Sequence, residues 1–135
     1  MKLTIRTDGG ARGNPGPAGI GVVIEDEKGN VLEEHAKYLG VTTNNQAEYK
    51  AAILGLDRAI ALGAASVEIV ADSELLVKQA NGEYRVKNQD LAQRYLELKN
   101  RELLLGGHVT YRHVRRERNT HADMLSNKAM DEGAR

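Results

Sequence analysis

The sequence predicts a mixed α/β fold: a five-stranded sheet, three antiparallel strands plus parallel strands, with helices on both faces. Three observations lead there. The first forty residues hold three β-rich runs joined by short connections, which reads as an antiparallel meander. Beyond residue 42, helical periodicities with capping residues alternate with two further short β-rich runs. The resulting order is three strands, helix, strand, helices, strand, helix, and strands of one sheet joined through helices run parallel.

Leu3, Ile5 and Thr7 alternate with Thr4, Arg6 and Asp8, the period-two pattern of a half-buried strand. Gly9 and Gly10 are read as its end, and Gly9 to Pro17 as a loop, because four glycines and two prolines oppose a helix there. A second strand follows from Gly19 to Glu25, a turn at Lys28-Gly29-Asn30, and a third strand from Val31 to about Leu39. Thr42-Thr43-Asn44-Asn45 offers capping side chains for a helix from about Asn45 to Leu62, stopped by Gly63.

Within that helix Tyr49, Ile53, Leu56 and Ile60 form an apolar stripe, and Ala52, Gly55 and Ala59 form a small-residue row. Helical spacing puts Glu48 at the head of that row, in the first turn, where a carboxylate is out of place unless something requires it. Val67 to Asp72 reads as a strand, and Ser73 as the cap of a helix ending near Asn81-Gly82. A longer helix runs from about Asn88 to Leu105, and His108 to Val114 returns to strand. Asn119 or Thr120 caps a last helix reaching about Met130, with His121 on its surface.

The length, 135 residues, suits one domain over 1–135 with a sizeable core. No cysteine is present, which excludes a disulfide framework, thiolate catalysis and zinc sites built on Cys. Lys and Arg balance Asp and Glu at 19 each, so any grip on nucleic acid must come from a local basic patch. Phe and Trp are absent, which argues against a stacking platform for single strands. No signal-peptide or membrane-spanning stretch is visible, and the expectation is a cytoplasmic monomer.

Four acids stand out. Asp8 and Asp72 each close a predicted strand, at the sheet edge where α/β proteins form their sites. On neighbouring parallel strands their carboxylates would lie about 4.8 Å apart, and they would repel unless a cation stood between them. Glu48 and Asp123 sit near the starts of helices that can lean over that edge. Each alone has a plainer reading. Asp before Gly-Gly makes turns, acids favour helix N-termini, and Thr120-His121-Ala122-Asp123 fits a capping box. Four elements delivering acid to one edge instead suggest a hard, oxygen-rich site for Mg²⁺ or Mn²⁺.

These residues also carry a family resemblance. Asp8-Gly9-Gly10-Ala11-Arg12-Gly13-Asn14-Pro15-Gly16-Pro17-Ala18-Gly19 resembles the opening motif of type 1 ribonuclease H. Thr42-Thr43-Asn44-Asn45-Gln46-Ala47-Glu48 resembles its second motif, Ala71-Asp72-Ser73 its third, and Asn119-Thr120-His121-Ala122-Asp123 its fourth. The matches follow family order and span nearly the whole chain. The resemblance implies a ribonuclease H-like fold and hydrolysis of the RNA strand of RNA/DNA hybrids. It further implies two Mg²⁺ ions, with Mn²⁺ as a possible substitute, held by Asp8, Glu48, Asp72 and Asp123, and 5′-phosphate and 3′-hydroxyl products.

The same resemblance implies substrate contacts at Gly9, Asn14, Asn44 and Asn45, with Thr43 in a pocket for a DNA phosphate. These side chains also suit capping and turns. Glu74 stands where many relatives carry a Gln that touches RNA. The run from His108 to Arg118 holds four arginines and two histidines against one acid, as a phosphate-facing patch would. It resembles a compact branch of the family in which Arg116 takes the basic active-site position, while His113 aligns with the histidine of other members. The basic, Trp-containing protrusion of many bacterial members is missing between Asp72 and Gly107, which implies weaker hybrid affinity. No separate hybrid-binding domain is expected ahead of Asp8.

A dinucleotide site is opposed by Pro15 and Pro17, since that fold needs its glycine loop to open a helix. Two alternatives stay open: a nuclease of the same fold acting on double-stranded RNA or DNA, and a non-catalytic nucleic-acid-binding module.

Overall fold

The computed structural model describes residues 1–133. Its elements are β1 (Lys2–Ala11), β2 (Gly16–Glu25), β3 (Val31–Thr42), α1 (Asn44–Ala61), β4 (Ser66–Ala71), α2 (Glu74–Ala80), α3 (Gln89–Leu104), β5 (Val109–His113), a short 3₁₀ turn (Arg116–Arg118) and α4 (Thr120–Gly133). The strands form one sheet in the order β3-β2-β1-β4-β5. β1, β2 and β3 pair antiparallel, and β4 and β5 extend the sheet parallel to β1, as the sequence predicts.

Alternation sorts the two faces. Leu3, Ile5 and Thr7 of β1 and Ile20, Val22 and Ile24 of β2 are almost wholly buried. With α1, α2 and α3 they make the main core, into which Tyr49, Leu56, Leu76 and Leu98 pack. The small-residue row of α1 does what its composition suggests. A Cβ on Gly55 would lie 2.8 Å from Ile5 Cγ2, so the helix rests on β1 with no room for a side chain.

Among the described residues the opposite face carries α4, over a smaller apolar cluster of Val23, Ala122 and Leu125. Gly19 and Gly21 point to that face. A Cβ on Gly21 would collide with the Ala122 carbonyl and lie 2.8 Å from Leu125 Cβ. α4 therefore sits on β2 at backbone distance, which brings its first turn to the end of β1.

Several boundaries differ from expectation. β1 continues through Gly9, Gly10 and Ala11, read as loop, because these residues pair with Ile20, Gly19 and Ala18 of β2. Backbone pairing overrides the weak strand preference of glycine where a partner strand is available. β2 likewise starts at Gly16, leaving a tight connection at residues 12–15. β3 reaches Thr42 through a bulge in which Ala18 faces Gly40 and Gly19 faces Tyr38. Gly40 there has φ of +77°, a conformation that costs glycine little. The 3₁₀ turn has no apolar periodicity to announce it.

Candidate active site

The parallel β1–β4 ladder ends at Thr7 opposite Ala71. One step further along each chain come Asp8 and Asp72, so strand register alone sets the two acids side by side. Asp8 is not at the end of its strand: β1 continues, paired with β2, and Asp8 faces Gly21. What ends at Asp8 is the pairing with β4. This is the edge at which α/β sheets build their sites.

α1 supplies the third acid. Thr43 caps it by accepting from the Gln46 N–H at 3.2 Å. Because the helix starts at Asn44, Glu48 falls just beyond the first turn, not within it, and gains no first-turn role. Its position comes from packing. A Cβ on Gly9 would strike the Ala47 backbone and lie 2.6 Å from Glu48 N, so helix and strand touch at that point. The Gly9 N–H donates to Glu48 Oε1 at 3.3 Å. One carboxylate oxygen from each of Asp8, Glu48 and Asp72 then lies within 4.8 Å of the other two.

Asp123, in the first turn of α4, lines the same cleft of about 360 Å³ but stands outside that group of three. Arg116 Nη2 holds its Oδ1 at 3.2 Å, and Asn127 Nδ2 approaches the same oxygen at 3.3 Å. The predicted capping box does not form its expected N-terminus. The Asn119 side chain turns inward and donates to the Thr7 carbonyl at 2.8 Å. That bond satisfies a buried carbonyl beside the site, while Asn119 Oδ1, the atom a cap would use, has no partner among the described residues.

Burial and mutual repulsion dominate the electrostatics. Asp8 is pushed up to about 7, first by burial and then by the charges of Asp72 and Asp123, against a lowering hydrogen bond from Ser126 Oγ. Glu48 is raised well above the usual carboxylate range, by burial and by Asp8 and Asp72, with the Gly9 N–H and Arg116 opposing. Glu48 Oε2 and Asp72 Oδ1 are buried without a hydrogen-bond partner among the described residues. Buried oxygens normally find partners. Orphaned acceptors in a set made only of carboxylates fit a hard divalent cation.

Comparison with known proteins agrees with this geometry. A family model described as reverse transcriptase-like matches residues 6–129. A bifunctional protein of Mycobacterium tuberculosis is 44% identical over 99% of this chain, which spans only 37% of that relative's length. A ribonuclease H of Lachnoclostridium phytofermentans is 34% identical over 98% of this chain and 94% of its own. The crystal structure of LC11-RNase H1 in complex with an RNA/DNA hybrid superposes with a TM-score of 0.94 at 44% identity, covering 98% of this chain and 99% of that one.

This chain belongs to the ribonuclease H family.

Around the acids of this ribonuclease H fold, all the remaining sequence-predicted residues except His113 divide into two groups. Gly9, Asn44 and Arg116 line the cleft with Gly10, Ala11 and Arg12. Asn14, Thr43 and Asn45 line a separate polar cleft of about 410 Å³ at the start of α1, together with Asn88, Asp90 and Arg94. The two clefts are tied through their asparagines. Asn44 N–H donates to Asn14 Oδ1 at 3.0 Å, and Asn44 Oδ1 accepts from Ala11 N–H at 2.7 Å.

His113 ends β5, exposed and opposite Ala71, and is not among the residues lining the acidic cleft. His121 stays at the surface of α4, half-buried, with its Nε2 3.0 Å from Glu34 Oε1 of β3. Glu74 sits in the first turn of α2, paired with Lys78 at 3.2 Å.

Sequence reasoning missed Ser126, Asn127, Asn119 as a strut, and Arg12. Ser126 and Asn127 lie three and four residues after Asp123, on the same helical face. That spacing was the available signal. Arg12 carried none, since a loop arginine is ordinary.

Proposed function

We propose that this chain, as one domain over residues 1–135, is an endonuclease that hydrolyses the RNA strand of RNA/DNA hybrids. The observation that carries this reading is the meeting of Asp8, Glu48 and Asp72 with two buried, unpartnered oxygens among them. The likeness to LC11-RNase H1, solved with such a hybrid, supports the substrate class. Among the described residues no helix is long and apolar enough to cross a membrane, and the proposal takes the protein as a cytoplasmic monomer.

Asp8, Glu48, Asp72 and Asp123 would hold two Mg²⁺ ions, or Mn²⁺ in their place, because hard oxygen donors suit these cations. Bound there, such ions would activate the attacking water and stabilise the leaving 3′-oxygen, giving 5′-phosphate and 3′-hydroxyl ends.

The chain's own groups prepare that site. Ser126 Oγ and the Gly9 N–H each occupy one oxygen of Asp8 and Glu48, which fixes the carboxylates and leaves Glu48 Oε2 without a protein partner. Arg116 and Asn127 orient Asp123 from opposite directions along the chain. The Arg116 guanidinium, largely exposed, also presents positive charge to a backbone phosphate at a cleft lined by four acids. Gly9 and Asn44 beside the acids, and Asn14, Thr43 and Asn45 in the neighbouring cleft, form the hybrid-binding surface. His113 is the second basic candidate and would act only from outside the cleft.

The deciding experiment incubates the protein with labelled RNA/DNA, RNA/RNA and DNA/DNA duplexes, with Mg²⁺, Mn²⁺ or chelator. Cleavage confined to the RNA of the hybrid, and dependent on the ion, is the expected result. Cutting of RNA/RNA or DNA/DNA in preference to the hybrid would favour another nuclease of this fold. A hybrid bound but left whole with either ion would favour the non-catalytic module.

A further inference from the structure

We propose that Arg12 is a substrate-binding residue that grips a backbone phosphate, and that Asp131 is the internal anion it releases to do so. The inference rests on the reading of the cleft as a nuclease site for nucleic acid.

The cleft floor is anionic: Asp8, Glu48, Asp72 and Asp123 line it against two cations, Arg12 and Arg116. A polyanion entering this space needs compensating charge, and the two arginines are differently committed. Arg116 pairs with Asp123, itself a member of the floor. Arg12 Nη1 pairs at 2.6 Å with Asp131 Oδ1, on a side chain 61% exposed near the end of α4 and outside the cleft lining. Arg12 is thus a cleft guanidinium whose counter-charge lies elsewhere.

Its base is rigid. Arg12 N–H donates to the Pro17 carbonyl at 2.8 Å, and the preceding Ala11 N–H donates to Asn44 Oδ1. A Cβ on Gly16 would collide with the Arg12 carbonyl, so the loop closes on itself at backbone contact. The guanidinium therefore projects from a fixed stretch of backbone, and meeting a ligand orders the side chain alone.

The two contacts that hold its head are weak. The ion pair to Asp131 is solvent-exposed on both sides, the setting in which ion pairs contribute least. The Nη2 contacts to the Asn127 carbonyl and Oδ1 are long, at 3.5 and 3.4 Å. A phosphate offers the same planar fork two oxygens and releases counterions as it binds. Asp131 acts as a local competitor for the guanidinium, and its removal should free Arg12 for substrate.

The test compares hybrid cleavage and salt-dependent hybrid binding for the full chain with Arg12→Ala, Arg12→Lys and Asp131→Asn. Arg12→Ala is expected to raise KM about five- to tenfold with kcat within about twofold, and to lower the slope of log affinity against log salt by about one contact. Arg12→Lys should recover the salt slope and only part of the KM. Asp131→Asn should lower KM about two- to threefold, and this gain should vanish in the double variant. Unchanged KM and salt slope in Arg12→Ala, or a raised KM in Asp131→Asn, would overturn the assignment while leaving the nuclease reading intact. Failure of the unsubstituted protein to bind or cut the hybrid would instead remove the reading beneath it, and the assignment with it.

Discussion

The side-chain amide of Asn119 donates to the carbonyl of Thr7 at 2.8 Å across 112 positions of sequence. Thr7 immediately precedes Asp8, and Asn119 lies four residues before Asp123, so this bond ties two acid-bearing elements together from within. Asn119 is almost fully buried. Its truncation would leave the Thr7 carbonyl without that donor, and an unsatisfied buried group costs about 1–3 kcal/mol. Asn119→Ala should therefore lower the thermal midpoint by several degrees and reduce cleavage more than hybrid binding. Calorimetry and steady-state kinetics on the same preparation would check both, and an unaltered midpoint would show the strut to be dispensable.

Crowded carboxylates make stability depend on pH in a defined direction. Asp8 has its folded-state value raised from 3.8 to about 7, and Glu48 is shifted the same way. Both raised groups favour the fold most while protonated in both states, below the unfolded values. That contribution is lost as pH rises through the folded-state value. Metal-free protein should accordingly melt at lower temperature near pH 8 than near pH 5. Mg²⁺ should recover the difference, raising the midpoint more at pH 8, because a cation relieves the repulsion that protonation relieves at pH 5. An Mg²⁺ effect equal at the two pH values would contradict this account.

Asp8→Asn separates chemistry from folding. It removes one negative charge from the cluster while keeping the shape, so metal-free stability near pH 8 should rise and the pH dependence should flatten. Hydrolysis should fall by about two to three orders of magnitude, the scale of losing a preorganised electrostatic group, while hybrid binding stays within a few-fold. Retained turnover in a purified variant would refute the role of Asp8.

The two basic candidates make opposite predictions. Arg116 lines the cleft and holds Asp123 at 3.2 Å, whereas His113 stands outside it. Arg116→Ala should lower kcat/KM about 10- to 100-fold, the range found when an orienting partner of a ligand is removed. His113→Ala should change it by less than about threefold, since nothing ties it to the reacting centre. Equal losses in both variants would mean that β5 reaches the substrate in the bound state.

Much of the site was legible beforehand because its signals are local. Ser73 caps the helix it precedes, and Thr43, one of the four capping candidates at 42–45, caps α1, since a short polar side chain ahead of an apolar periodicity satisfies the first free N–H groups. The glycine in the small row of α1 marked a close approach, and Gly55 makes it against Ile5. The acids were placed at one sheet edge by counting strand ends. What escaped were partners whose meaning depends on distant chain: Gly9 to Ala11 as strand, Asn119 as a strut, Ser126 on Asp8, and the Arg12–Asp131 pair. A side chain's own neighbours in sequence do not encode what it will meet after folding.

From sequence alone, alternation, capping and glycine placement determined which segments became strands and helices, and which residues could carry the acids. Those properties follow from the backbone preferences of short stretches. Only the tertiary structure decided that β1–β4 register sets Asp8 beside Asp72, that Gly9 lets Glu48 close on them, and that Asp123 stands apart in the grip of Arg116. Those outcomes turn on ångström-scale packing between α1, α4 and the sheet, where one absent Cβ determines whether two elements touch.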